Sequence, residues 1–276
     1  MIINNGYLNT RPLSATSLSA FQQSPRHYIK YITQKRELTD AMILGLLIET
    51  MILEPDKLTS KFVQYEKFDR RTNVDKAKWN DMLNDSILKG YHLINTETWK
   101  SAEEAKRSVM DHEHARGLIE GKKGVQVKLA WINKEHGLPI TGYEDLTTEC
   151  WGEEFIVEIK TTAKLNDPDH FIREAAERKF QLQCGLYSEG HPHCYYKFPQ
   201  FIFLVIETVD PFNVLLFFCP DEYIERAKEE FRNTLKAFRY CMNNNLFHQG
   251  YEFWLMGTRK YYTMEYPKYY KSKFQG

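Results

Sequence analysis

The sequence predicts an α/β domain built on a mixed central sheet, and three observations predict it. Helical patterns come first, from Ser17 to Leu53, before any strand pattern. From Gln126 onward, short alternating apolar runs are interleaved with longer helical ones. The 276 residues, 42% hydrophobic and 27% charged, have the balance of one globular domain with a sizeable core.

The elements follow in order. Ser17 to Ile32 reads as a helix that Pro25 kinks or splits. Thr39 caps a second helix, Asp40 to Leu53, which Pro55 stops. Residues 56–123 read as a polar, partly helical insertion, with a short helix near Lys76 to Leu88. Ser101 and Glu104 form a capping box for a helix reaching about Ile119. Gln126–Ile132 and Glu154–Lys160 alternate as strands. Asp169 to Glu189 reads as one helix closed by Gly190. Phe201–Glu207 and Val214–Cys219 are buried strands flanking the turn signal Asp210-Pro211. Pro220 opens a long helix to about Asn243, and a basic, aromatic tail occupies 251–276.

Composition excludes several function classes. Lys+Arg and Asp+Glu are both 37, so bulk charge does not drive nucleic-acid binding as it does in histones. Charge is segregated instead. Residues 1–36 hold Arg11, Arg26, Lys30, Lys35 and Arg36 with no acid, and the tail holds Lys268 and Lys271 among other cations. Either end reads as a solvated face or as a contact for phosphate. No apolar signal core opens the sequence, and no run approaches a membrane span. Five cysteines without CxxC spacing argue against a disulfide framework or zinc ribbon and for a reducing cytoplasm.

Three features bear on chemistry. Ten of the thirteen residues from Ala41 to Leu53 are aliphatic or Met, so the helix reads as buried all round, with Glu49 in it. A buried carboxylate must neutralise, pair with a Lys or Arg, or bind a cation. Gly45, one turn earlier on the same face, leaves room for something to approach. Second, alternation puts Glu158 and Lys160 on one face of a strand, and the turn-like Gly142–Leu146 segment lies at hairpin distance, bringing Asp145 beside Glu158. Clustered carboxylates with oxygen-only donors select Mg²⁺ or Mn²⁺, and a neighbouring lysine can orient or deprotonate a water attacking a phosphodiester. Third, Gln183 and Tyr187 share a helix face.

Five motifs stand in order: S-x-x-x-F-x-x-S-P-R-x-Y from Ser17, G-x-x-x-E-x-x-x-L-E-P from Gly45, G-x-x-D-L from Gly142, E-I-K-T-T from Glu158 and Q-x-x-x-Y from Gln183. Together they resemble the PD-(D/E)XK nuclease superfamily, and within it the exodeoxyribonuclease VIII and lambda-exonuclease-like phage nucleases. The resemblance implies a restriction-endonuclease-like fold, a mixed central sheet flanked by helices. It implies that Glu49, Asp145, Glu158 and the Ile159 carbonyl hold metal, Mg²⁺ with Mn²⁺ as an alternative. Lys160 would position or activate the water, supported by Gln183 and Tyr187. Arg26, Lys30, Lys268 and Lys271 would meet DNA.

The chain departs from the pattern at two places. Glu49 stands where the family usually has His, and Gln126 where it usually has Glu. Ser24 replaces the Cys of iron–sulfur members, which implies no cluster. The implied activity is 5′→3′ exonucleolytic hydrolysis of duplex DNA ends in recombination or repair, in the cytoplasm of a bacterium or phage-infected cell. The implied assembly is a homo-oligomeric ring working with a single-strand annealing protein. The alternatives are an endonuclease of the same fold, or a DNA-binding scaffold with reduced or lost catalysis, for which the neutral Gln126 speaks.

Overall fold

The computed structural model describes residues 11–35, 37–69, 71–164 and 167–255. Helices α1 (Ala15–Gln23) and α2 (Pro25–Thr33) replace the single first helix, so Pro25 splits rather than kinks it. Ser24 is extended (φ −171°), ends α1 and caps α2 through the His27 N–H, while Pro25 opens the second helix where no donor is needed. α3 (Asp40–Leu53) has the expected bounds and its Thr39 cap.

The segment expected as an insertion divides in two. A short 3₁₀ turn, α4 (Leu58–Lys61), β1 (Phe62–Tyr65), α5 (Asn73–Lys89) and β2 (His92–Asn95) form a unit with a two-stranded parallel sheet, which buries Phe62 and Ile94 in the second core of the domain. Then α6 (Thr96–Asp111) and α7 (Glu113–Glu120) join the main core, with Ala102, Ala105, Val109 and Leu118 fully buried. The Ser101–Glu104 capping box is not used. Asn95 caps α6 through the Thr98 N–H, placing Ser101 inside the helix, and His112 breaks the run and caps α7.

The central sheet has order β3-β4-β5-β6-β7: β3 (Lys122–Asn133), β4 (Leu138–Cys150), β5 (Glu153–Thr162), β6 (Gln200–Glu207) and β7 (Val214–Cys219). Only the β5/β6 pair is parallel. Its crossover carries α8 (Pro168–Glu177) and α9 (Phe180–Tyr195). The single helix expected over 169–189 is therefore two. Lys179 adopts a left-handed φ of 63° and breaks the run. Gly190 lies inside α9, where a Cβ would stand 2.5 Å from the Trp131 ring. The Gly142–Leu146 segment is not a turn but the middle of β4, and the turn lies at Trp151-Gly152.

Both faces of the sheet are covered, which is why β6 reads as continuously apolar. Phe201, Phe203 and Val205 enter a core with α1, α2, α9 and α10 (Asp221–Asn243), while Ile202, Leu204 and Ile206 enter a second with α3, α6 and α7. α3 is buried only in its C-terminal half, from Leu47 onward. Its start is exposed, with Met42 54% exposed, while Ile43, Leu44 and Leu46 pack partly buried against the second core. No helix among the described residues is long and apolar enough to cross a membrane.

Candidate active site

The site lies where the sheet splits. β4 pairs with β5 only from Leu146–Val157 to the hairpin. The other end of β4 is bridged by Leu13, which meets Pro139 and Thr141. Residues 142–145 thus face a gap. Buried backbone donors need partners, and the three N–H groups facing the gap have them. Thr141 donates to the Leu13 carbonyl at 2.8 Å, Tyr143 to the Tyr187 hydroxyl, and Asp145 to Glu158 Oε1 at 3.2 Å.

Asp145 and Glu158 therefore stand side by side, as expected. The Ile159 N–H donates to Asp145 Oδ2 at 2.9 Å, so the contact that the structure gives Ile159 in the site is its amide. Glu158 is fully buried, and its Oε2 accepts from Lys160 Nζ at 3.0 Å and from Gln183 Nε2. Gln183 Nε2 also reaches the Tyr187 oxygen at 3.2 Å. Tyr187 packs onto Gly142 so closely that a Cβ there would lie 2.5 Å from the ring. Lys160 Nζ sits 5.1 Å from the centre of the Phe180 ring.

Glu49 enters from α3 on the opposite side, and its partner is not a surface lysine. Gln126 Nε2 donates to Glu49 Oε1 at 2.6 Å and to Asp145 Oδ1 at 3.3 Å. Gln126 has a left-handed φ of 51°, uncommon for a residue with a Cβ. What approaches Gly45 is Thr161, whose Oγ1 would lie 2.8 Å from an added Cβ.

The electrostatics follow from burial. Desolvation and then the charge of Asp145 raise Glu49 from 4.5 to about 7 and push Glu158 well above its ordinary value. Desolvation also raises Asp145, against the opposing pull of Lys160. Burial alone would lower Lys160, but the charges of Glu158 and Asp145 outweigh it and hold the ammonium above its usual range. Desolvation raises Tyr187 as well, so its hydroxyl keeps its proton.

Three carboxylates against one committed lysine leave negative charge uncompensated, and all the donors are hard oxygens. That setting fits a divalent cation such as Mg²⁺ or Mn²⁺. Among the described residues, no three acidic, His or Cys side chains are already gathered closely enough to hold an ion. Glu158 is engaged by its own donors, and the Gln126 amide stands between the other two carboxylates.

The expected DNA contacts fare differently. Arg26 gives Nε and one terminal nitrogen to the His248 carbonyl, at 3.1 and 2.7 Å, so it ties α2 to the segment after α10. Lys30 is exposed on α2. Lys268 and Lys271 lie outside the described residues, with most of the basic tail. Residues not anticipated sit nearer the site. Two residues past Lys160, a concavity of about 400 Å³ is lined by Lys164, His170, Arg173 and Arg178 with Glu174 and Glu177. Arg178 pairs with Glu174 at 2.9 Å, whereas Lys164 and Arg173 are exposed. A second unanticipated pair is Glu144 with His191, both buried, with Nδ1 2.9 Å from each carboxylate oxygen. The signal was available, since His191 continues the Gln183/Tyr187 stripe at i+8.

Comparison with known proteins agrees with this geometry. The family model described as "PDDEXK-like domain of unknown function (DUF3799)" matches residues 14–249. A crystal structure from Eubacterium rectale described as a "Putative exonuclease" superposes with a TM-score of 0.57 at 13% identity, over 89% of this chain and 87% of that one. At that identity the likeness establishes the fold, a restriction-endonuclease-like α/β arrangement. None of the curated proteins matches.

Proposed function

The chain belongs to this PDDEXK-like family, and from that premise we propose that it is a metal-dependent deoxyribonuclease hydrolysing phosphodiester bonds. The observation that carries the reading is the meeting of Asp145, Glu158 and Lys160 where the pairing of β4 with β5 ends, with Glu158 fully buried. A fully buried carboxylate–lysine pair is a weak source of stability, so its presence beside a second buried carboxylate favours a chemical role.

The residues that would hold Mg²⁺, or Mn²⁺, are Glu49, Asp145, Glu158 and the Ile159 carbonyl. Such a cation supplies phosphoryl polarisation and a lowered pKa for water. The chain's own residues do the rest. In the metal-free protein the charges of Glu158 and Asp145 hold Lys160 protonated, and beside a bound cation it would position or activate the attacking water. Gln183 fixes Glu158 from α9, and Tyr187 supports Gln183. Lys164 and Arg173, exposed in the concavity two residues past Lys160, would meet the phosphate backbone of a bound strand.

The E. rectale protein's description as a "Putative exonuclease" favours an exonucleolytic over an endonucleolytic habit. The 5′→3′ polarity on duplex DNA, the role in recombination or repair, the ring assembly and the annealing partner rest on the motif resemblance alone. A second reading, a nuclease fold with reduced catalysis, is favoured by one observation, the neutral Gln126 between Glu49 and Asp145. End-labelled linear duplex with Mg²⁺ tests the set. Loss of label from one end, absent in Lys160→Ala, is the expected result. Cleavage of a covalently closed circle would make it an endonuclease. Binding of duplex without hydrolysis in Mg²⁺ or Mn²⁺ would establish the scaffold reading.

A further inference from the structure

We propose that Gln126 is a built-in occupant of the cation position: its amide NH₂ holds Glu49 and Asp145 together in the metal-free protein, and a divalent cation enters by displacing it. The inference rests on the metal-dependent reading above.

The geometry carries it. Both neighbours of the amide are carboxylate oxygens, at 2.6 and 3.3 Å, and carboxylates accept only. The NH₂ end must therefore face them, with the amide oxygen turned away. The nearby cations are committed elsewhere, Lys160 to Glu158 at 3.0 Å and Lys61 to Glu54 at 2.9 Å. On β3, Gln126 falls between the register pairs Val125–Leu146 and Val127–Glu144, directly across from Asp145. Its left-handed φ of 51° is a conformation that a residue with a Cβ keeps only where the surroundings hold it.

The amide is a substitute of limited strength. It satisfies two acceptors without neutralising either. A cation satisfies and neutralises together. The two compete for the same space between the same oxygens, so binding must break both amide hydrogen bonds. The rival role is that of a neutral ligand, in which the amide rotates and offers Oε1 to the cation. The two roles predict opposite signs when the amide is removed.

Glycine takes a positive φ without strain, so Gln126→Gly deletes the amide and keeps the backbone. Mn²⁺ affinity is measured by titration calorimetry on the full chain, together with melting temperatures in chelator and in saturating Mn²⁺. The expected result is that Gln126→Gly binds Mn²⁺ about tenfold tighter than wild type, as two hydrogen bonds to charged groups no longer oppose entry. Its melting temperature falls in chelator and recovers toward wild type in Mn²⁺. Gln126→Glu also binds more tightly, having exchanged the occupant for a ligand. Equal affinity in wild type and Gln126→Gly overturns the proposal, and weaker binding overturns it in favour of the ligand role. Absence of Mn²⁺ binding in all three proteins would instead sink the metal-dependent reading, and the proposal with it.

Discussion

Asp145 and Glu158 each cap the other's strand. The Asp145 N–H donates to Glu158 Oε1 at 3.2 Å, and the N–H of Ile159, the residue after Glu158, donates to Asp145 Oδ2 at 2.9 Å. Strand pairing stops one residue earlier, at Leu146–Val157. The two carboxylates thus replace the next rung of the ladder, and the same contacts that end the pairing fix both acids.

Lys160 is the counter-charge to a fully buried Glu158, at 3.0 Å. Lys160→Met should abolish hydrolysis, by on the order of 10²–10⁴-fold, and lower stability by about 3–5 kcal/mol because an unpaired buried charge remains. Glu158→Gln combined with Lys160→Met should be more stable than Lys160→Met alone, though equally inactive. Urea melts of the three proteins check this. A double variant no more stable than the single one refutes the buried-pair account.

Stability of the metal-free protein should run against the usual acid trend. Glu49 has a folded value of about 7 against 4.5 ordinarily, so the folded state binds the proton more tightly. That contribution is complete below 4.5 and is lost as pH rises to about 7. The melting temperature in chelator should fall over this window, and saturating Mg²⁺ should remove the slope. Glu49→Gln should reduce the slope without metal, leaving the part that the raised Asp145 and Glu158 contribute. A wild-type curve that rises through the window would contradict the assignment.

Gly45→Ala should destabilise, although Gly→Ala inside a helix ordinarily gains about 1 kcal/mol. The added methyl would lie 2.8 Å from Thr161 Oγ1. Thr161→Ala removes the obstacle, so the double variant should exceed wild type in stability. Divalent affinity should fall in Gly45→Ala, since Glu49 lies one turn along the same face, and return in the double variant.

Arg26 and Lys164 should separate cleanly in salt titrations of duplex binding. Lys164→Ala and Arg173→Ala should each reduce the log–log salt slope by about one. Arg26→Ala should leave the slope unchanged and lower the melting temperature, because its guanidinium holds the His248 carbonyl. A slope change for Arg26 alone would restore it as a phosphate contact.

Much of the site was legible because strand period and hairpin length are arithmetic. Alternation placed Glu158 and Lys160 on one face, and the spacing to Asp145 matched the observed hairpin. Glu49 was legible as the one acid in the apolar run from Ala41 to Leu53. What was not legible depended on backbone exceptions. Lys179 breaks a run whose apolar spacing continues across it, and Gly190 serves Trp131 rather than a helix end. Asn95 caps the helix instead of Ser101 because its side chain accepts from the Thr98 N–H, which starts the helix about two turns earlier. The role of Gln126 needs a left-handed φ that nothing in its neighbours announces.

Gln183, Tyr187, His191 and Tyr195 recur every four residues along α9 and meet, in turn, Glu158 on β5, Gly142 and Glu144 on β4, and the Lys128 carbonyl on β3. The helix is therefore indexed to three strands at once, like a key cut with four teeth. Inserting or deleting one residue between Gln183 and Tyr195 would turn every later tooth by about 100° about the axis. Length changes in this crossover should be tolerated only outside that interval, in the loop before Phe180 or after Tyr195, where homologous chains can be spliced without disturbing the register.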